Sequence, residues 1–130
     1  MVEPTFTYDV DAANRLITMR LAGREPSAHY ADGIIAAYGD IPELWRYNRL
    51  IDHRKFSSLI TMDDLKRMSE AWSDFTRGHD VRARVAILTR NPLTQARVAA
   101  HGALYPDQHK RTFTSVSEAM DWVLEHETVK

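Results

Sequence analysis

Polar and apolar positions alternate from the start of the chain. Phe6, Tyr8 and Val10 fall on one side of an extended segment, with Thr5, Thr7 and Asp9 on the other. A period of two predicts a β-strand. Asp11-Ala12-Ala13-Asn14 reads as a turn. A second alternating run then sets Leu16, Thr18, Arg20 and Ala22 against Ile17, Met19 and Leu21. So short a connection predicts an antiparallel hairpin. After a break from Gly23 to Pro26 the period changes. Ser27 is placed to cap a helix with the stripe Tyr30, Ile34, Ile35 and Tyr38, ended by Gly39-Asp40-Ile41-Pro42. Leu50-Ile51 marks a short third strand within 47–54.

Thr61 caps the clearest amphipathic helix, with Met62, Leu65, Met68, Trp72 and Phe75 as its expected core stripe. Asp63 and Asp64 lie in its first turn, Arg77 in its last, and Gly78 stops it. Val85-Ala86-Ile87-Leu88 is a continuous apolar run, as a strand buried on both faces requires. Asn91-Pro92 opens a third helix. Its small residues, Ala96, Ala99, Ala100 and Ala103 among them, are expected to let it lie close to the sheet. A last strand covers about 109–114. The capping-box pattern Ser115-Val-Ser-Glu118 starts a terminal helix with the stripe Val116, Ala119, Met120, Val123 and Leu124. The order is β-β-α-β-α-β-α-β-α, an α/β arrangement. It predicts a mixed, mostly parallel five-stranded sheet with four covering helices, folded as one domain over residues 1–130.

Four stretches in this order carry a family resemblance. They are the hairpin followed by a helix; the strand Arg49-Leu-Ile-Asp-His-Arg-Lys-Phe56; the long amphipathic helix leading to Arg84-Val-Ala-Ile-Leu-Thr89; and Arg111-Thr-Phe-Thr-Ser-Val-Ser-Glu-Ala-Met-Asp-Trp122. From Thr5 to Glu125 the chain resembles SpoIIAA-like proteins, the bacterial branch related to STAS domains and grouped with Sec14-like folds. The resemblance implies a regulatory module without enzymatic activity, docking a protein partner or a small ligand. Anti-sigma-factor antagonists of this fold carry an Asp-Ser-Ser-Gly-type motif whose serine a partner kinase phosphorylates. The matching stretch here, Phe56-Ser-Ser-Leu-Ile-Thr-Met-Asp-Asp64, lacks that motif. It keeps hydroxyls at Ser57, Ser58 and Thr61, which the resemblance makes candidate phosphorylation positions.

Composition narrows the chemistry. The 130 residues hold no cysteine, which excludes disulfides, thiol catalysis and cysteine-ligated metals. Seventeen basic and eighteen acidic residues leave a net charge of −1. That is no field for nucleic acid, and no nucleic-acid partner is expected. No apolar run approaches the roughly 18–20 residues of a membrane span, so no integral membrane association is expected. The opening Met-Val-Glu-Pro-Thr shows no signal-peptide pattern, and a cytoplasmic location is expected. The histidines stand at 29, 53, 79, 101, 109 and 126, with no helix-face pair three to five apart. Neither a metal site nor a cofactor is expected.

Ligands of open α/β sheets sit beyond the carboxyl ends of the strands. Asp52, His53, Arg54 and Lys55 fall there after the third strand, and Thr89, Arg90, Asn91 and Gln95 after the fourth. With helix starts at Thr61 and Pro92, the basic residues form a candidate anion site; the competing reading is solvated loop charge. Further arginines at 46, 49, 82 and 84 suggest a local basic surface hidden by the near-zero total. Asp52 and His53 are adjacent in a strand and so point to opposite faces, which speaks against an acid–base pair. Asp52 reads instead as a buried strand-end hydrogen-bond acceptor. Trp45 and Tyr47 follow Pro42 in a loop, as edge packing, a pocket lining or a contact with a second chain.

Two other readings compete with the regulatory one. A Sec14-like domain would hold an apolar molecule, such as a lipid, between helices and sheet, in room left by the alanines of the third helix. It requires a cavity approaching roughly 300 Å³. A small hydrolase or isomerase would use Asp52, His53 and Arg90, and requires their convergence. The sequence leaves open a homodimer through an edge strand or the Trp45 region.

Overall fold

The computed structural model describes residues 5–79, 81–104 and 108–125. His126, the last of the six histidines, lies outside them. Five strands form one sheet in the order β1 (Phe6–Asp11), β2 (Leu16–Gly23), β3 (Asn48–Phe56), β4 (Arg84–Leu88) and β5 (His109–Phe113). The first pair is antiparallel and the other three are parallel. Four α-helices accompany them: α1 (Ser27–Asp40), α2 (Met62–Phe75), α3 (Pro92–Gly102) and α4 (Val116–Leu124). A short 3₁₀ turn, Leu44–Arg46, precedes β3.

Spatial order equals chain order, and this decides the layers. Each crossover between neighbouring parallel strands is right-handed and steps the same way, so all three crossover helices land on one face. The cores agree. One apolar cluster joins Ile17, Met19 and Leu21 of β2 to Tyr30 and Ile34 of α1, Trp72 of α2 and Val98 of α3. The second, on the opposite face, joins Leu50, Ala86, Leu88 and Phe113 to Ala119 and Val123 of α4. Val85, Ala86, Ile87 and Leu88 are all buried, as the continuous apolar run requires.

Local chemistry explains the helix starts. Thr61 Oγ1 accepts from Asp64 N at 3.1 Å, Asn91 Oδ1 from Leu93 N at 2.9 Å, and Ser115 Oγ from Glu118 N at 3.3 Å. Ser27 departs from expectation. It is the first residue of α1, Pro26 holds the cap position, and Ser27 Oγ accepts from Thr61 N across the fold at 3.0 Å. Gly23 ends β2 with φ +85°, a conformation in which a side chain is strained. Its carbonyl accepts from Ser57 N at 2.8 Å, which ties the β3–α2 loop to the hairpin strand.

Other expectations are corrected. In α2, Leu65 and Trp72 are buried, but Met62 and Phe75 are 37% and 45% exposed, and Ser69, Asp64 and Thr76 take the inner positions. Each of these polar groups has a partner, so burial is affordable there. Thr76 Oγ1, for example, donates to Trp72 O at 2.7 Å. In α3 the inner positions are Thr94, Val98 and His101, while Ala96, Ala99, Ala100 and Ala103 face solvent. Those alanines serve helix propensity rather than close packing on the sheet. Val116 and Leu124 of α4 are likewise exposed, and Ile35 of α1 is half-buried. No helix among the described residues is long and apolar enough to cross a membrane.

Candidate functional site

The strand-end residues open onto a cleft of about 480 Å³ at the carboxyl ends of β3 and β4. His53, Phe56 and Ser58 line one side, and Thr89, Arg90 and Thr94 the other. Pro92 and Asn91, at the start of α3, and Arg54 complete the rim. Lys55 lies outside it, in a smaller hollow of about 220 Å³ with Asp52, Thr7 and Arg20.

Strand alternation sends Asp52 and His53 to opposite faces of the sheet, as expected. Burial alone would raise the Asp52 carboxyl, but hydrogen bonds and charge from Arg54, with the charge of Arg20, hold it below the ordinary carboxylate range. Arg54 donates from its backbone N, Nε and Nη2 at 2.9, 3.0 and 2.9 Å. Asp52 is thus a strand-end acceptor, half-buried rather than buried as expected, and it fixes Arg54 at the rim.

His53 faces the crossover helices. It borders both the cleft and a cavity of about 30 Å³ lined by Ile34, Ile60, Leu65 and Val98. Phe56 meets its ring edge-on, with centroids 5.8 Å apart. Its Nδ1 is buried without a hydrogen-bond partner. Loss of solvation pushes its pKa down to about 4, against a smaller opposing pull from Asp52, so the ring is neutral near pH 7. His53 and Arg90 share the cleft while Asp52 stands on the other face, so the convergence a hydrolase needs is not assembled. The 30 Å³ cavity holds about one water, far below the roughly 300 Å³ of an ordinary ligand pocket. The alanines meant to leave room for an apolar ligand point outward.

The three loop hydroxyls differ in availability. Ser57 is exposed and Ser58 is half-buried on the cleft wall. Thr61 Oγ1 is committed: it accepts from Asp64 N and donates to Asp64 Oδ2 at 3.0 Å. Arg67 fastens the same carboxylate at 2.9 Å and reaches Asp32 of α1 at 2.5 Å. One N–H at the start of each helix, Asp64 N in α2 and Leu93 N in α3, is already taken by its cap, and Arg90 and Arg54 bring side-chain charge to the cleft. Arg90 is exposed and has no ion-pair partner among the described residues.

The basic surface is corrected. Arg46, Arg49, Arg82 and Arg84 lie at the amino ends of the parallel strands, opposite Arg54, Lys55 and Arg90. Arg49 is buried. It stacks 3.7 Å above the Trp72 ring and donates to the Tyr38 hydroxyl. Arg84 donates to Trp122 O at 2.9 Å. Trp45 stacks on His79 with centroids 3.5 Å apart, and Tyr47 packs against the main core.

Sequence reasoning missed a second polar cluster beneath α2. Ser69 Oγ lies 2.6 Å from His101 Nε2 and accepts from Lys110 Nζ at 2.5 Å. Burial, with the charge of Arg49, pushes Lys110 down to about 7. Burial, with the charge of Lys110, pushes His101 down to about 4. A serine between two such bases resembles an activated nucleophile. Ser69 is only 2% exposed and His101 0%, so a substrate has no access to it. The signal in the sequence was spacing: Ser69 and Trp72 continue the stripe of Leu65, and His101 that of Thr94 and Val98. Among the described residues no group of three or more metal-ligating side chains converges.

No family model matches the sequence, and no curated protein matches it. Solved structures do. An uncharacterised protein of the DUF3478 family with a SpoIIAA-like fold, from Shewanella loihica PV-4, superposes with a TM-score of 0.56 at 15% identity, covering 91% of each chain. The Bacillus cell fate determinant SpoIIAA, in its phosphorylated form, gives 0.54 at 16% identity over 91% of this chain and 98% of its own. An anti-sigma factor antagonist from Mycobacterium paratuberculosis gives 0.53 at 12% identity over 96% of this chain and 100% of its own. With the element order anticipated from the residue pattern and this likeness across at least nine-tenths of the chain, the protein has a SpoIIAA-like fold.

Proposed function

We propose that the chain is a regulatory, non-enzymatic module that docks a protein partner at the 57–61 loop and the adjoining cleft. A phosphate on Ser57 or Ser58 would control that docking. The observation that carries this reading is the division of labour in the loop: two accessible serines precede a threonine already spent on capping α2. A phosphate on Ser58 would enter a cleft bordered by Arg90 and add charge-assisted bonds there. One on Thr61 would break the cap and press against the Asp64 carboxylate. Two neighbours in fold support the reading, SpoIIAA in its phosphorylated form and an anti-sigma factor antagonist. In this reading the chain acts in the cytoplasm as one domain over residues 1–130, and Asp52, Arg54 and Lys55 shape the rim rather than perform chemistry.

Phosphopeptide mapping of the chain purified from its native host tests the switch. Phosphate is expected on Ser57 or Ser58 under at least one growth condition, and Thr61 is expected to stay unmodified. Ser57 and Ser58 unmodified under every condition, or phosphate confined to Thr61, would contradict it.

A further inference from the structure

The cleft has features that docking of a folded partner does not use. It is concave, and its walls are of two kinds: Phe56 and Pro92 are apolar, while Ser58, Thr89 and Thr94 carry hydroxyls. Thr89 and Thr94 are buried. Thr89 Oγ1 accepts from Asn91 N at 3.2 Å, so its own proton is directed elsewhere. His53 stands on the wall between the cleft and the small apolar cavity, with its Nδ1 buried.

Charge narrows the ligand. The guanidinium of Arg54 is engaged by Asp52, so the local balance there is near zero. Arg90, exposed and without an ion-pair partner among the described residues, supplies one positive charge at the mouth. One fixed cation matches one negative group, and an arginine grips a carboxylate with two parallel bonds. The apolar walls ask for a compact organic body rather than a bare inorganic ion.

We propose that this cleft binds a small organic monoanion, its carboxylate on Arg90 and its apolar body against Phe56 and Pro92. The inference rests on the reading of the cleft as the functional site, and it makes the module responsive to a metabolite-sized acid beside the loop that carries Ser57 and Ser58.

The test is a titration of the isotope-labelled full chain with sodium benzoate, followed by two-dimensional NMR at constant ionic strength. Inorganic phosphate serves as the second probe. Benzoate is expected to shift the signals of His53, Thr89, Arg90 and Thr94 saturably. Arg90→Gln, at an exposed position that leaves the fold intact, is expected to weaken binding by about tenfold or more. Absence of saturable shifts, or equal affinity in Arg90→Gln, overturns the inference. Phosphate binding as tightly as benzoate overturns it too, because the apolar walls would then contribute nothing. Failure of benzoate to bind leaves the phosphorylation reading standing, whereas benzoate binding with Ser57 and Ser58 never modified leaves the ligand site without the switch.

Discussion

Arg49 is where charge, packing and hydrogen bonding are most closely joined in one residue. It is buried on β3 between the Trp72 ring and the Tyr38 hydroxyl, with its Nε unpartnered, and loss of solvation pulls its pKa below the ordinary arginine value. Tyr38→Phe removes the acceptor and is expected to cost about 1–3 kcal/mol in urea unfolding. A buried charge replaced by an apolar chain of similar size is often neutral or stabilising. The double variant Tyr38→Phe/Arg49→Met is therefore expected to be more stable than either single variant, and additive losses would contradict this. His53 supplies a pH signature. Its pKa falls from 6.5 to about 4 on folding, so between those values the unfolded chain takes up a proton that folded His53 refuses. Stability is then full above the unfolded value and falls as pH drops through the window, with His101 acting in the same direction. His53→Gln should flatten part of the decline in unfolding free energy between about pH 7 and about pH 4.5. An unchanged slope would mean that the ring is not buried neutral. Neither Arg49 nor His101 was legible as a core residue, because a charged or polar type is read as solvated until its partners, distant in sequence, are known.

Elements were more legible than faces. The five strands and four α-helices of the described residues, and their order, follow from period, caps and breaks, since each signal is local. Which side of a helix turns inward depends on neighbours, and the pattern fails where polar residues find partners indoors. α2 shows this through Ser69 and Thr76, and α3 through Thr94 and His101. Two substitutions test the corrected face of α3. Val98→Ala is expected to cost more than about 1 kcal/mol, whereas Ala99→Glu should change stability by less than about 0.5 kcal/mol. The reverse ranking by thermal or urea unfolding would restore the alanine face to the core. The start of α2 carries its own prediction. Thr61→Ala removes the hydroxyl that accepts from Asp64 N, for an expected loss of about 0.5–2 kcal/mol. Ser57→Ala, with an exposed side chain, should be nearly neutral in the same measurement.

On the scale of the whole molecule, sequential strand order puts three helices on one face and one on the other, and it gathers the loop ends of β3 and β4 at one edge. The hydroxyl loop, the exposed Arg90 and the ring of His53 meet there although they are widely separated in sequence. The candidate strand-end residues were legible because parallel topology dictates where such residues go. Their division was not: Asp52 and Lys55 turn to the other face, and Arg54 is held at the rim by Asp52. The basic residues fall at opposite ends of the strands for the same reason, since β3 and β4 each carry arginines at both termini. The regulatory reading depends on the loop acting as the point of partner docking. Its most direct test compares, by quantitative mass spectrometry, the proteins retained in native-host cells by the tagged wild-type chain, by Ser57→Ala/Ser58→Ala and by Ser57→Asp/Ser58→Asp. The expected result is a partner held by the wild type and the alanine variant and lost from the aspartate variant, with Thr61 intact in all three. Identical retention by all three chains would contradict it.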